Sequence, residues 1–147
     1  MNKTKFLIKL AVICLFLKTN ALASNSNFFE RGKNFFNNKK FDKSKIFFER
    51  DIVFNPKNAR SYLYLAKIFN EKEKDDEQEK NLQNVLLIDP QNDEAIYMLT
   101  LLKIKQSNYD DAKKLIDKFE LVCKKFCSKK KEMKDKLNKL TPENVKD

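Results

Sequence analysis

The 147-residue chain has no histidine, one glycine, three prolines and three cysteines. Without histidine it lacks the usual general base, the commonest metal ligand and every Ser/His or Cys/His nucleophile pair, which excludes most hydrolase chemistry. With Gly32 as its only glycine it can build neither a dinucleotide fingerprint nor a phosphate-cradling loop, since both need several glycines at fixed offsets. The same scarcity leaves little material for hairpins and tight turns and favours helices. No catalytic residue, cofactor or metal site is expected.

What is present fits one modest soluble domain, with 41% hydrophobic and 35% charged residues. The formal charge is +10. Four of the lysines, Lys3, Lys5, Lys9 and Lys18, lie in the first 23 residues, and setting that segment aside leaves 27 basic and 21 acidic side chains. Residues 24–123 are nearly neutral, with 18 basic and 17 acidic side chains, whereas 124–147 hold 9 and 4.

Met1 to Lys5 gives a basic start, Phe6 to Leu17 an apolar stretch interrupted by Lys9, and Ala21-Leu22-Ala23 a small-residue pattern suited to cleavage before Ser24. Residues 1–23 therefore read as a secretory signal peptide. The protein is expected to be exported, to the periplasm first, with an extracellular or leader-tethered location as alternatives. The apolar stretch is well short of the roughly 20 residues that span a bilayer. Ile13 stands before Cys14, where a lipidation signal has a small residue, so Cys14 reads as an ordinary leader residue.

Beyond the leader a period of 34 residues is visible. Phe28, Tyr62 and Ile96 align, and so do Arg31, Leu65, Leu99; Gly32, Ala66, Thr100; and Phe35, Phe69, Lys103. These columns lie at i, i+3, i+4 and i+7, on one face of a helix A. A second set, Ser44, Gln78, Ala112; Phe48, Leu82, Ile116; Asp51, Val85, Phe119; and Phe54, Ile88, Val122, marks a helix B. Pro56 and Pro90 stop the first two B helices, and Asn58 and Asn92 are placed to cap the A helices after them. Met133, Leu137 and Leu140 form a narrow apolar stripe over Ser128 to Leu140, which suits a terminal helix covering the last hydrophobic face.

Over residues 25 to 126 this pattern resembles the tetratricopeptide-repeat (TPR) family. The stretches Asn84-Val85-Leu86-Leu87-Ile88-Asp89-Pro90-Gln91-Asn92 and Asn108-Tyr109-Asp110-Asp111-Ala112 are similar to the family's helix B terminus and helix B entry. Asp51 and Gln78 depart from the usual alanines, Lys103 from a tyrosine and Lys124 from a proline, and the helical pattern is weakest over Glu73 to Lys80. The resemblance implies an all-α solenoid of three repeats (25–58, 59–92, 93–126), a capping helix over 128–140 and a disordered tail over 141–147.

By the same resemblance, helix A of each repeat lines a concave groove that holds an extended or helical partner segment. Groove positions carried across by register are Phe29, Lys33 and Phe36; Arg60, Leu63, Lys67 and Asn70; and Glu94, Tyr97, Leu101 and Ile104. Aromatics and arginine supply anchors, and Lys33 and Lys67 favour acidic flanks on the partner. Phe29 stands where some family members place a lysine that clamps a C-terminal carboxylate, so that mode is not expected. The competing reading buries Phe36 and Ile104 against neighbouring helices.

Cys123 and Cys127 are four apart. In a continuous helix their Cβ atoms are roughly 6 Å apart, beyond the approximately 3.5–4.5 Å of a disulfide; a break there would permit the bond, and the repeat boundary favours a turn and a short staple. Lys124, Lys125, Lys129, Lys130, Lys131 and Lys134 begin a basic run that reads either as a solvated helix face or as a contact for anionic lipid or envelope polymer. Nucleic acid is disfavoured, because only Phe126 interleaves with the lysines to stack a base. Three roles are thus expected in order: a non-catalytic envelope scaffold with a protein in its groove, a surface protein acting through the basic tail, and an array that self-associates end to end.

Overall fold

The computed structural model describes residues 27–140; the leader and the tail lie outside the described residues. Seven α-helices follow one another: α1 (Phe28–Asn37), α2 (Phe41–Phe54), α3 (Ala59–Glu71), α4 (Asp75–Ile88), α5 (Asp93–Lys105), α6 (Tyr109–Val122) and α7 (Lys130–Leu140), the last preceded by a 3-10 turn at Cys127–Lys129. Helices α1/α2, α3/α4 and α5/α6 pair as antiparallel hairpins. Each pair stacks on the next, and α7 closes the stack on α5 and α6. Among the described residues no helix is long and apolar enough to cross a membrane.

Helices α2 and α4 end two residues before Pro56 and Pro90. The Asn58 side chain accepts from Arg60 N–H at 3.3 Å, and Asn92 and Asn108 accept from Ala95 and Asp111 N–H at 3.0 and 3.3 Å, which caps α3, α5 and α6. The turn inside each hairpin puts Lys39, Glu73 and Ser107 in left-handed conformation, with φ of 56°, 54° and 58°, again 34 residues apart. The next amide, of Lys40, Lys74 or Asn108, returns to the carbonyl of Phe35, Phe69 or Lys103 at 2.8–2.9 Å, the six-to-one bond of a Schellman ending.

Helices A and B approach over the expected small-residue column, and its smallest member faces the largest partner. Gly32 faces Phe48, and a Cβ there would lie 2.8 Å from Phe48 Cε1. In the later repeats the same two positions hold Ala66 with Leu82, and Thr100 with Ile116, all buried. Leu63, Ala66, Leu82, Val85, Ala95, Leu99 and Leu102 form the central core. The first repeat packs aromatics instead, with Phe48 stacked on Tyr64 at 4.9 Å and Phe29 at 5.6 Å from both. Phe54, expected on the apolar face of helix B, is 53% exposed and stacks on Phe28 in the first described repeat.

At the other end Met133 and Leu137 bury against Ile96, Ile116 and Phe119. Leu140, expected in the same stripe, is 52% exposed.

Candidate functional site

The surface of the A helices is where the register places the groove. Asn70 on α3 and Tyr97 and Leu101 on α5 converge, with Gln78, Met98, Leu102 and Lys105, around a cleft of about 320 Å3. Its lining is mostly apolar, with Gln78 buried within it and Asn70 and Lys105 exposed. Lys105 is held on one side by Asp75 at 2.7 Å.

Other expected groove residues are engaged within the fold. The Arg60 guanidinium lies over the Phe29 ring at 3.9 Å, with Glu30 at 3.8 Å. Lys67 bridges to Glu94 at 2.6 Å and stands 5.0 Å from the Tyr64 ring centre. Phe36 is half-buried, edge-on to Tyr64 at 5.1 Å. Lys33 is half-buried and has no ion pair among the described residues. Phe29, Leu63 and Ile104 are 7%, 8% and 5% exposed and belong to the core. Leu63 lies in the seam between α3, α4 and α5, and Ile104 is covered by α7, so neither projects as a groove anchor.

Tyr97 marks the end of the cleft. Its hydroxyl donates to Glu132 Oε1 on α7 at 3.0 Å, and its ring faces Phe126 at 5.9 Å. Burial, then the bond to Glu132, pushes the phenol above its ordinary value. Glu132 in turn is held down to about 2 by Lys129, Lys136 and the Tyr97 hydroxyl. The sequence showed no sign that α7 would contribute a carboxylate to this edge.

A second unforeseen device lies behind it. Asp93, in the first turn of α5, accepts the backbone amides of Lys124, Lys125 and Phe126 on one oxygen at 2.7, 2.6 and 3.0 Å. Desolvation pushes this carboxyl up, but the amides of Phe126, Lys124, Lys125 and Glu94 outweigh it and leave the group below its usual value. Curling the chain around Asp93 ends α6 without a proline, and the structure joins Cys123 to Cys127 there, Cα to Cα 5.2 Å.

The basic run is largely spoken for. Lys130 and Lys134 share Glu120 at 3.1 and 2.5 Å, Lys129 and Lys136 share Glu132 at 2.9 and 3.1 Å, and Lys124 donates to Gln91 at 3.3 Å. Lys125 and Lys131 are exposed and have no ion pair among the described residues. Among the described residues no group of three His, Cys, Asp or Glu side chains could hold a metal ion.

No family model and no curated protein matches the chain. Solved structures do. The TPR domain of Arabidopsis OM64 superimposes with a TM-score of 0.69 at 21% identity, over 76% of this chain and 92% of that one. The TPR2B domain of yeast Sti1, solved as a complex with pHsp70, gives 0.67 at 17% identity, over 74% and 91%. The second TPR domain of human RPAP3, in complex with the HSP70 peptide SGPTIEEVD, gives 0.64 at 21% identity, over 76% and 89%. The fold is that of a tetratricopeptide-repeat domain, an all-helical repeat solenoid.

Proposed function

We propose that the protein is a non-catalytic scaffold of the cell envelope, exported by its leader, that holds a segment of another protein along α3 and α5. The observation that carries the reading is the cleft at Asn70, Tyr97 and Leu101, where positions from two successive repeats meet around an apolar floor that the fold leaves uncovered. Domains of the same fold are seen holding peptides, pHsp70 and the HSP70 peptide among them.

The occupant is an extended or helical segment with one apolar anchor for the cleft and acidic residues beside it. Lys33 is the cation offered to those residues, and Lys105 joins it where its bridge to Asp75 opens. Lys67 is satisfied by Glu94 and contributes only if that bridge opens.

The test is affinity capture from envelope extract with the parent protein and with an Asn70→Trp, Lys33→Glu variant. Asn70 is exposed, so tryptophan fills the cleft from outside without entering the core. A protein retained by the parent and lost from the variant, with unchanged circular dichroism, supports the groove. Equal retention by both refutes it.

A further inference from the structure

Val53, Leu87 and Leu121 occupy one position of α2, α4 and α6, 34 residues apart, and are 76%, 80% and 86% exposed. A single bare apolar side chain on a protein surface needs no explanation. The same position left bare in every repeat is a property of the array. None of the three belongs to a core cluster.

Among their neighbours cations outnumber carboxylates. Arg50 and Lys118 stand one turn before Val53 and Leu121, and Lys57 and Lys125 follow in the loops after α2 and α6. Around Leu87 the same places hold Asn84 and Gln91, and Lys124 reaches Gln91 at 3.3 Å. The carboxylates in register are Glu49 and Asp117, and Glu49 is already taken by Lys45 at 2.7 Å.

We propose that this outer face of α2, α4 and α6 docks on an anionic lipid bilayer. Val53, Leu87 and Leu121 enter the boundary between headgroups and acyl chains, and the flanking cations meet lipid phosphates. Acyl chains receive such side chains one at a time, and the cations beside Val53 and Leu121 favour an anionic surface over a neutral one. A second copy laid antiparallel would bring Arg50 and Lys57 against Lys118 and Lys125, like charge on like. Helix α7 serves less well, since Met133 and Leu137 are buried and Glu120 and Glu132 hold three of its lysines, Lys130, Lys134 and Lys136. Docking by this face leaves the A helices, on the other side of each hairpin, open to a partner.

The chain has no tryptophan, so Leu87→Trp in the full chain makes one reporter at the centre of the face. Vesicles containing phosphatidylglycerol should shift its emission to the blue, and lipids with brominated acyl chains should quench it, while pure phosphatidylcholine does neither. Changing Arg50, Lys57 and Lys118 to glutamine should lower partitioning about a hundredfold, at roughly 1 kcal/mol per cation near an anionic surface. A leader that bound the vesicles by itself would leave the introduced indole in water, so the reporter separates the two. The proposal is overturned if that indole stays wet on anionic vesicles, or if a Lys139→Trp reporter on α7 is quenched in its place. It is equally overturned by a blue shift that grows with protein concentration in the absence of lipid, which would assign the face to a second copy.

Discussion

Replacing Asp93 by alanine should loosen the C-terminal end of the array while leaving the first two repeats intact. One Asp93 oxygen takes three backbone amides from residues 124–126, and the residue is only 8% exposed. A hydrogen bond to a charged group contributes about 1.5–3 kcal/mol. Three that share one oxygen do not add, and the exposed Lys124 and Lys125 let water reach their amides in the variant. A net loss of about 2–3 kcal/mol follows. Because the loop carries the chain from α6 to α7, the loss should fall on docking of α7 rather than on global unfolding. Native-state hydrogen exchange reads this directly: the amides of Met133 and Leu137 should exchange about 30- to 150-fold faster, at roughly 1.36 kcal/mol per decade, with Leu82 and Val85 in α4 unchanged. Unchanged protection at Met133 and Leu137, or an equal rise in α4, would refute the reasoning.

Glu132 is held down to about 2, against roughly 4.3 in an unfolded chain, so its contribution to α7 docking is present above about 4.3 and is lost as pH falls toward 2. Tyrosine near-ultraviolet circular dichroism should report this acid transition and should lose it in Glu132→Gln. Lys39, Glu73 and Ser107 each bear a left-handed φ that costs a side chain about 1–2 kcal/mol, partly offset by glycine's greater chain entropy. The triple glycine variant should gain about 2 kcal/mol in urea unfolding, and a loss would remove the argument. Gly32→Ala should cost about 1–3 kcal/mol through the 2.8 Å approach to Phe48, and Phe48→Leu in the same chain should return part of it.

The all-helical repeat fold was legible because a 34-residue register repeats the same contact geometry, so each column is read three times. The Asn58 and Asn92 caps followed from prolines in phase. The groove was legible only as a set of columns. Register says that Leu63 and Ile104 share a column set with Leu101 but not that Leu63 sits in the seam with Leu82, or that α7 lies over Ile104. The lysines of α7 looked like a free patch for the same reason: their partner Glu120 is ten or more residues away across a reversing loop, and no local pattern signals it. Asp93 gave no sign at all, because its partners are backbone amides, which every residue carries.

Three departures from the usual repeat residues, Asp51, Lys103 and Lys124, are each met by a partner of their own. Asp51 replaces an alanine at 3% exposure, and its carboxylate accepts Ser61 Oγ at 2.5 Å and the Asn58 and Asn55 side chains at 2.6 and 3.2 Å. Those three donors lie in the loop and first turn that a repeat must order anyway, so the buried acid stitches the first repeat to the second. Lys103 replaces a tyrosine and reaches Glu79 on the preceding helix B at 2.6 Å, with Gln106 on the same carboxylate at 3.3 Å. Lys124 replaces a proline, and the stop that proline would have supplied comes from Asp93 binding its amide. Among the described residues no buried side-chain nitrogen or oxygen lacks a partner. Polar substitution in a repeat core thus survives where the new group bonds to the adjoining repeat, and in doing so it converts a stack of similar units into one whose interfaces differ. The consequence for binding is that the three A helices are not interchangeable: α1 is braced by aromatics, α5 is closed off by α7, and the open cleft falls between α3 and α5.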